Sequence, residues 1–438
     1  MIFRQTISWA VASALLVMSG SAAASGFALF EHGSGLGNAF AGGAASAEDA
    51  STIYFNPAGL SRLNGKQIVV AAHAIRPSLK FGNTVSTAAA LQTMGGNGGD
   101  AGSWALVPNG YFAMEIDPKL RFGIGMNSPF GLQSQYDATW MGRFQAIKSK
   151  IQTINLNPSV SYQVSDSLSV GAGLSYQHIR GDLTSAVNYS AAAFAAGGAP
   201  LLAAIGGAGV EGISTVSGSD SAWGGNVGAL FNLSPKTRLG LAYRSRIKYK
   251  LSGTVSFTGV PAPLAASPLL QNGPVTLPIS MPDSASVSVF HQSSDKCDIM
   301  ADVTWMGWGV LQQLKIDRTN GSNVLTVQEN WRDTWRVAAG SNYHYSNQWT
   351  ARIGAAYDQT PVSDFYRTAR IPDEARFQLA VGGQYKPTKN SALDFGYTHL
   401  FVKNASIAER QAAAGKGDLI GNYKNSVDIL SMVYAYSF

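Results

Sequence analysis

The chain has 438 residues, of which 45% are hydrophobic, 13% charged and 10% aromatic, with 48 glycines and a formal net charge of +6. A charged share about half the ~25% of soluble domains disfavours an ordinary cytosolic enzyme, and this much hydrophobicity excludes a disordered chain. No run of about 20 apolar residues follows the N-terminal segment, which argues against helical membrane spans and leaves a β-rich chain with a non-aqueous outer surface.

The N-terminus reads as an export signal. Arg4 gives a positive start, Ile7 to Met18 an apolar core, and Ala22-Ala23-Ala24 a small-residue cleavage site. Cleavage after Ala24 removes residues 1–24 and one positive charge, leaving +5. That excess is spread along the chain, so nucleic-acid binding has no support. The single cysteine, Cys297, allows no internal disulfide.

Residues 25–65 have helix and turn signals and no lipid-facing pattern. Gly33 to Gly43 is rich in Gly and Ala, and Asn56-Pro57-Ala58-Gly59 is a turn sequence. A compact plug inside a barrel is the natural placement. From residue 66 onward the periodicity is that of strands. Leu168, Val170, Ala172, Leu174 and Tyr176 alternate with Ser169, Gly171, Gly173, Ser175 and Gln177. The second face is small or charged, which suits a lumen. Short turns such as Asp117-Pro118, Ser165-Asp166, Ser234-Pro235, Ser346-Asn347 and Thr388-Lys389 alternate with long loops rich in Gly, Ala, Ser or Pro. Strand starts near Gln67, Val107, Lys119, Lys150, Ser167, Asp220, Lys236, Ser284, Cys297, Thr334, Gln348, Ala375, Ser391 and Lys424 make fourteen. That is an even number, as a closed antiparallel barrel needs. The fold class is all-β: a 14-stranded transmembrane barrel, 66–438, around an N-terminal hatch.

Two features inside this pattern bear on function. Pro129 lies in the third strand before Phe130-Gly131; a proline cannot donate to the ladder, so a kink that opens the wall is expected. The loop with Phe194, Leu201 and Leu202 is long and apolar and could form a greasy first-contact groove at the surface. At the C-terminus, Leu430, Met432, Tyr434, Tyr436 and Phe438 share one strand face. The terminal Phe438 resembles the signal read by the barrel assembly machinery.

The ordered motifs carry a family resemblance over essentially the whole mature chain. They are Gly35-Leu36-Gly37-Asn38-Ala39-Phe40-Ala41-Gly42, Asp49 to Leu60, Pro129-Phe130-Gly131-Leu132, Trp140-Met141-Gly142-Arg143, Asn157-Pro158-Ser159-Val160, Trp331-Arg332-Asp333-Thr334, Tyr357-Asp358-Gln359-Thr360-Pro361 and Ile371-Pro372-Asp373. In these the sequence resembles the FadL-type outer-membrane transporters of long-chain fatty acids and other hydrophobic molecules. The resemblance implies passive uptake by a monomer in the outer membrane of a Gram-negative bacterium, among lipid and lipopolysaccharide. It also implies a lateral exit at the third-strand kink and basic residues near a deep pocket. By position Arg180 and Arg332 resemble those residues, although an arginine at 332 stands where a lysine is expected. The Asn56-Pro57-Ala58 turn is expected near the kink, holding the plug until a ligand shifts it.

No ATP-binding loop occurs: Gly415-Lys416 is followed by Gly417 and lacks the upstream glycine. The six histidines lack metal-ligand spacing, so neither metal nor cofactor is expected. A hydrolase would need a Ser/His pair held by a third group, and no motif supplies one. A non-specific porin would lack the plug; a surface-binding role for the loops stays open. The paired arginines favour an anionic apolar substrate, a long-chain fatty acid, with aromatic or other hydrocarbons as the alternative.

Overall fold

The computed structural model describes residues 26–438; the expected signal segment, 1–24, lies outside the described residues. Fourteen wall strands run in chain order. The first four are Lys66–Asn83, Ala105–Glu115, Leu120–Asn127 continued by Gly131–Gln135, and Lys148–Gln163. The fifth to eighth are Leu168–Asn188, Glu211–Ser234, Thr237–Arg244 continued by Ile247–Phe257, and Gly273–Met281 continued by Ser284–Ser294. The last six are Cys297–Met306, Thr334–His344, Trp349–Asp358, Arg376–Thr388, Ser391–Val402 and Gly417–Ser437. The first strand pairs antiparallel with the last, from Gln67 opposite Ser437 to Asn83 opposite Gly421, and this closes the ring. Closure matters because each unpaired backbone group facing hydrocarbon costs several kcal/mol.

The two faces of the wall differ as the alternation requires. Leu174, Ile353 and Met432 point outward and are each more than 60% exposed, which a water-facing sheet would not tolerate across its whole girth. Aromatics form rows at the two rims. Trp305 faces Trp335 and Phe377 lies between Tyr357 and Phe401 near the long-loop rim, while Trp349 stacks on Tyr385 and Tyr436 on Phe438 near the other. Such rows mark the edges of an apolar band. The fifth and sixth strands have 21 and 24 residues, well past the ~9–11 needed to span a bilayer, and project beyond the band on the long-loop side. Periodicity therefore places the sixth strand near Asp220, although it begins at Glu211.

The N-terminal segment lies inside the ring. It is built from short turns, Leu36–Asn38, Gly43–Ser46, Thr52–Phe55 and Pro57–Arg62, too short to persist without packing. Wall glycines make room for it. Added Cβ atoms at Gly340 and Gly354 would strike Asn38, and at Gly396 would approach Gly37. On the opposite wall, Gly171 faces Pro57 and Ala58, Gly228 faces Asn56, and Gly240 faces Ala44. Buried ion pairs complete the contact: Arg352 holds Glu48 at 2.7 Å and Asp394 at 2.9 Å, and Arg336 donates to the Ala39 carbonyl at 2.6 Å. The lumen holds many charges, and Arg352, Arg336 and Arg238 among them are matched to groups on the segment or the wall, because an unpaired charge there would be costly.

Candidate functional site

The third strand is interrupted at Ser128–Phe130. Its first part pairs with the second strand only up to Met126 opposite Gly110, and its second part pairs with the fourth strand alone. Residues 105–109 of the second strand keep their partners in the first strand but have none on the other side. The backbone groups released at the break are taken by the N-terminal segment: Leu29 N–H donates to the Pro129 carbonyl at 2.9 Å and Gly131 N–H to the Phe27 carbonyl at 2.9 Å. The remaining opening is a cavity of about 120 Å³. Leu29, Val107, Phe130 and Gly131 line its inner side, and Leu106, Ile154, His178 and Arg180 its outer rim.

Next to the opening, towards the long loops, four buried aromatics close the lumen. Phe27 meets Trp308 at 4.7 Å, Trp331 at 5.6 Å and Phe130 at 6.1 Å, and Trp308 meets Trp331 at 4.9 Å. Ile151, Ile179, Leu251, Ile279 and Met281 surround them. Phe27 is carried by the N-terminal segment, so the neck opens only if that segment moves or the ring turns aside. Asp373 anchors the start of the segment, accepting from Gly26 N–H at 3.1 Å while paired with Arg376 at 3.0 Å.

Above the neck the long loops enclose a groove of about 930 Å³. It is lined by Leu91, Phe144, Leu183, Phe194, Phe257, Leu269 and Leu325, with two cations, Arg370 and Lys416. Arg370 is fixed by long hydrogen bonds to the Ser149 hydroxyl at 3.3 Å and the Lys148 carbonyl at 3.4 Å. Burial lowers the pKa of both cations, and Arg370 lowers that of Lys416 further. Glu409 opposes this, and its own pKa is raised by burial. Buried Glu329, hydrogen-bonded to the Trp331 indole at 3.0 Å, is pushed up to about 8, chiefly by burial. Arg370 and Lys416 thus stand close enough to disfavour each other's charge, and an anion between them would relieve that repulsion.

Several expected site residues fall elsewhere. Arg180 and Arg332 do not share a pocket. Arg180 has the parity of Val170, Leu174 and Tyr176, points outward, and pairs with Asp182 at 3.3 Å. Arg332 is exposed beside Trp331. The alternation along the fifth strand already places 180 on the outer face. The Asn56-Pro57-Ala58 turn lies not at the opening but against the fourth to sixth strands. Asn56 donates to the Ala44 and Ala229 carbonyls at 2.8 and 3.0 Å and accepts from Ala58 N–H at 3.0 Å. The opening is filled by Phe27–Leu29 instead. Phe194 lines the groove from a helix, Tyr189–Ala204, kinked at Gly197 and Gly198, where sequence suggested a loop. Leu201 and Leu202 lie past the kink in the same helix and are half-buried, with Leu201 packed against the cluster of Tyr189, Ala193 and Leu264. Phe438 is bonded by its backbone to Lys66, at the ring closure.

Arg370 and Lys416 escaped the sequence reading. Arg370 adjoins the Ile371-Pro372-Asp373 motif, a signal that could have found it, but Lys416 lies in a featureless Gly-Ala stretch.

Residues 15–438 match the family model described as an outer membrane protein transport protein (OMPP1/FadL/TodX). This chain belongs to that family. It is 29% identical over 440 residues to the long-chain fatty acid transport protein of Escherichia coli K12, covering 95% of this chain and 97% of the relative. It superposes on a FadL homologue from Pseudomonas aeruginosa with a TM-score of 0.84 at 26% identity, covering 94% of this chain and all of that one. The toluene transporter TbuX of Ralstonia pickettii has the same fold, with a TM-score of 0.66 at 22% identity and coverage of 94% and 100%. The protein is thus an outer-membrane transporter of hydrophobic molecules in a Gram-negative bacterium. The short-turn rim, with both strand termini, is the periplasmic one.

Proposed function

We propose that this chain carries long-chain fatty acids passively from the cell surface into the outer membrane. The observation that carries the reading is the apolar groove with Arg370 and Lys416 at one place in its lining. Its volume of about 930 Å³ suits a long flexible tail, and the two cations suit a carboxylate at its head. A substrate lying there moves down when the Phe27 segment swings away, and the aromatic neck gives its tail an apolar path.

The direction of exit follows from solvation. Below the segment, towards the periplasm, the lining is polar, with Arg62, Arg238, Asp298, Arg352 and Lys386. An apolar tail gains nothing there, whereas the opening between the second and third strands leads to hydrocarbon. Hatch movement and lateral exit are therefore parts of one proposal. The reading that the carried molecule is a neutral aromatic draws on the neck, where Phe27, Phe130, Trp308 and Trp331 offer ring faces and edges to an apolar ring.

The test is equilibrium binding of oleate and of toluene to the detergent-folded protein, wild type against an Arg370→Gln/Lys416→Gln double variant. Loss of a charge-assisted contact costs about 1.5–3 kcal/mol, so oleate should bind at least about tenfold more weakly to the variant. Toluene binding that is indifferent to the variant, with no oleate binding by wild type, moves the substrate to aromatic hydrocarbons.

A further inference from the structure

The outer rim of the wall opening is charged on one side only. Leu106 on the second strand is apolar and 43% exposed, and Trp104 beside it is 58% exposed. Across the opening, His178 and Arg180 lie on the outward face of the fifth strand. Lys150 on the fourth strand stands directly opposite Asp182 in the ladder, and Lys148 opposite Thr184. This places three cations, Lys148, Lys150 and Arg180, on the outside of the wall around one carboxylate, Asp182. The Arg180 side chain is 61% exposed despite its pairing, and His178 is fixed by a 2.9 Å contact between Nδ1 and the Ser221 hydroxyl.

The height of this cluster gives it meaning. Tyr176 packs on Trp223 at 4.9 Å, on the same outward face and on the periplasmic side of His178. An aromatic pair of this kind sits at the boundary between hydrocarbon and head groups. His178 and Arg180 are one and two outward positions above it, so they stand at the head-group level of the outer leaflet. An amphiphile leaving through the opening would lay its tail along Leu156 and Tyr176, which face each other in the ladder, into hydrocarbon while its head was still at the rim. A bare carboxylate at that point leaves water and the lumenal cations together, and is costly without a new partner.

We propose that His178, Arg180 and Lys150 form an exit-side anion site that receives the head group of the departing amphiphile while its tail enters the bilayer. The site rests on the reading that a fatty acid leaves laterally. A phosphate of an outer-leaflet lipid has the same charge chemistry, and the experiment separates the two sources.

Full-length protein is reconstituted in nanodiscs of phosphatidylcholine alone. Binding of tritiated oleate to the protein is measured first, then its transfer to the bilayer, with oleyl alcohol as a neutral control. The Arg180→Gln/Lys150→Gln variant should bind oleate as wild type does but pass it on about three- to tenfold more slowly, the range two exposed ionic contacts supply. Transfer of oleyl alcohol should be unchanged, and Arg180→Lys should restore much of the oleate rate. Equal slowing of both compounds, or of neither, overturns the site. A deficit seen only after lipopolysaccharide is added assigns the cluster to lipid phosphate and overturns the carboxylate assignment. Wild type that binds oleate without transferring it overturns lateral exit itself, and the site with it.

Discussion

Gly131→Val tests the wall opening directly. Gly131 lines the opening, and a Cβ there would stand 3.3 Å from Leu29 Cδ1. Its backbone N–H is bonded to the Phe27 carbonyl, and that bond survives the change because it involves no side chain. Valine adds three carbons, each about the size of a water's ~30 Å³ share of liquid volume, against a cavity of about 120 Å³. Most of the opening would be filled. Passage would then require Leu29 and the new side chain to move together, an overpacking cost of about 1–3 kcal/mol. At ~1.4 kcal/mol per factor of ten, entry of substrate into the membrane should slow by about five- to a hundredfold. Gly131→Ala adds one carbon at a contact tight enough for Leu29 to shift slightly, and should slow it far less. The assay is uptake of labelled oleate by cells lacking their own transporter, with surface binding measured in parallel. Binding should stay intact in both variants. Uptake by Gly131→Val equal to wild type, with the barrel correctly inserted, would show that substrate does not cross the wall here.

Two further outcomes follow from the buried contacts, beside those stated for the groove and the rim. Asn56→Ala strips partners from the Ala44 and Ala229 carbonyls and from Ala58 N–H, a loss of about 2–4 kcal/mol at a fully buried site. The barrel should still insert, with weakened uptake and faster proteolysis within residues 26–63; failure to insert would make the turn a folding element rather than part of a gate. Glu329 has a folded pKa of about 8 against an ordinary 4.5, so between these values the folded protein holds a proton that the unfolded chain has released. Stability should therefore fall as pH rises through that window, by at most about 1.4 kcal/mol per pH unit. Glu329→Gln should remove that slope in detergent unfolding curves at pH 5 and pH 8, and an unchanged slope would refute the assignment.

Much of this protein is written locally. Period-2 alternation depends only on which side of a strand meets lipid, so the fourteen strands, the outward rows of aromatics and the proline break in the third strand can be read from sequence. The same parity fixes Arg180 on the outer face, because it falls in step with Leu174 and Tyr176. Tertiary structure decided what lies across the lumen. Phe27 meets Trp308 and Trp331 from positions some three hundred residues away, and Arg370 joins Lys416 only because two loops from different strand pairs fold over the same mouth. The N-terminal segment shows why. Its turns are too short to set their own direction, so where Asn56 and Phe27 come to rest is dictated by which wall glycines leave space, and those lie on strands that meet only when the ring has closed.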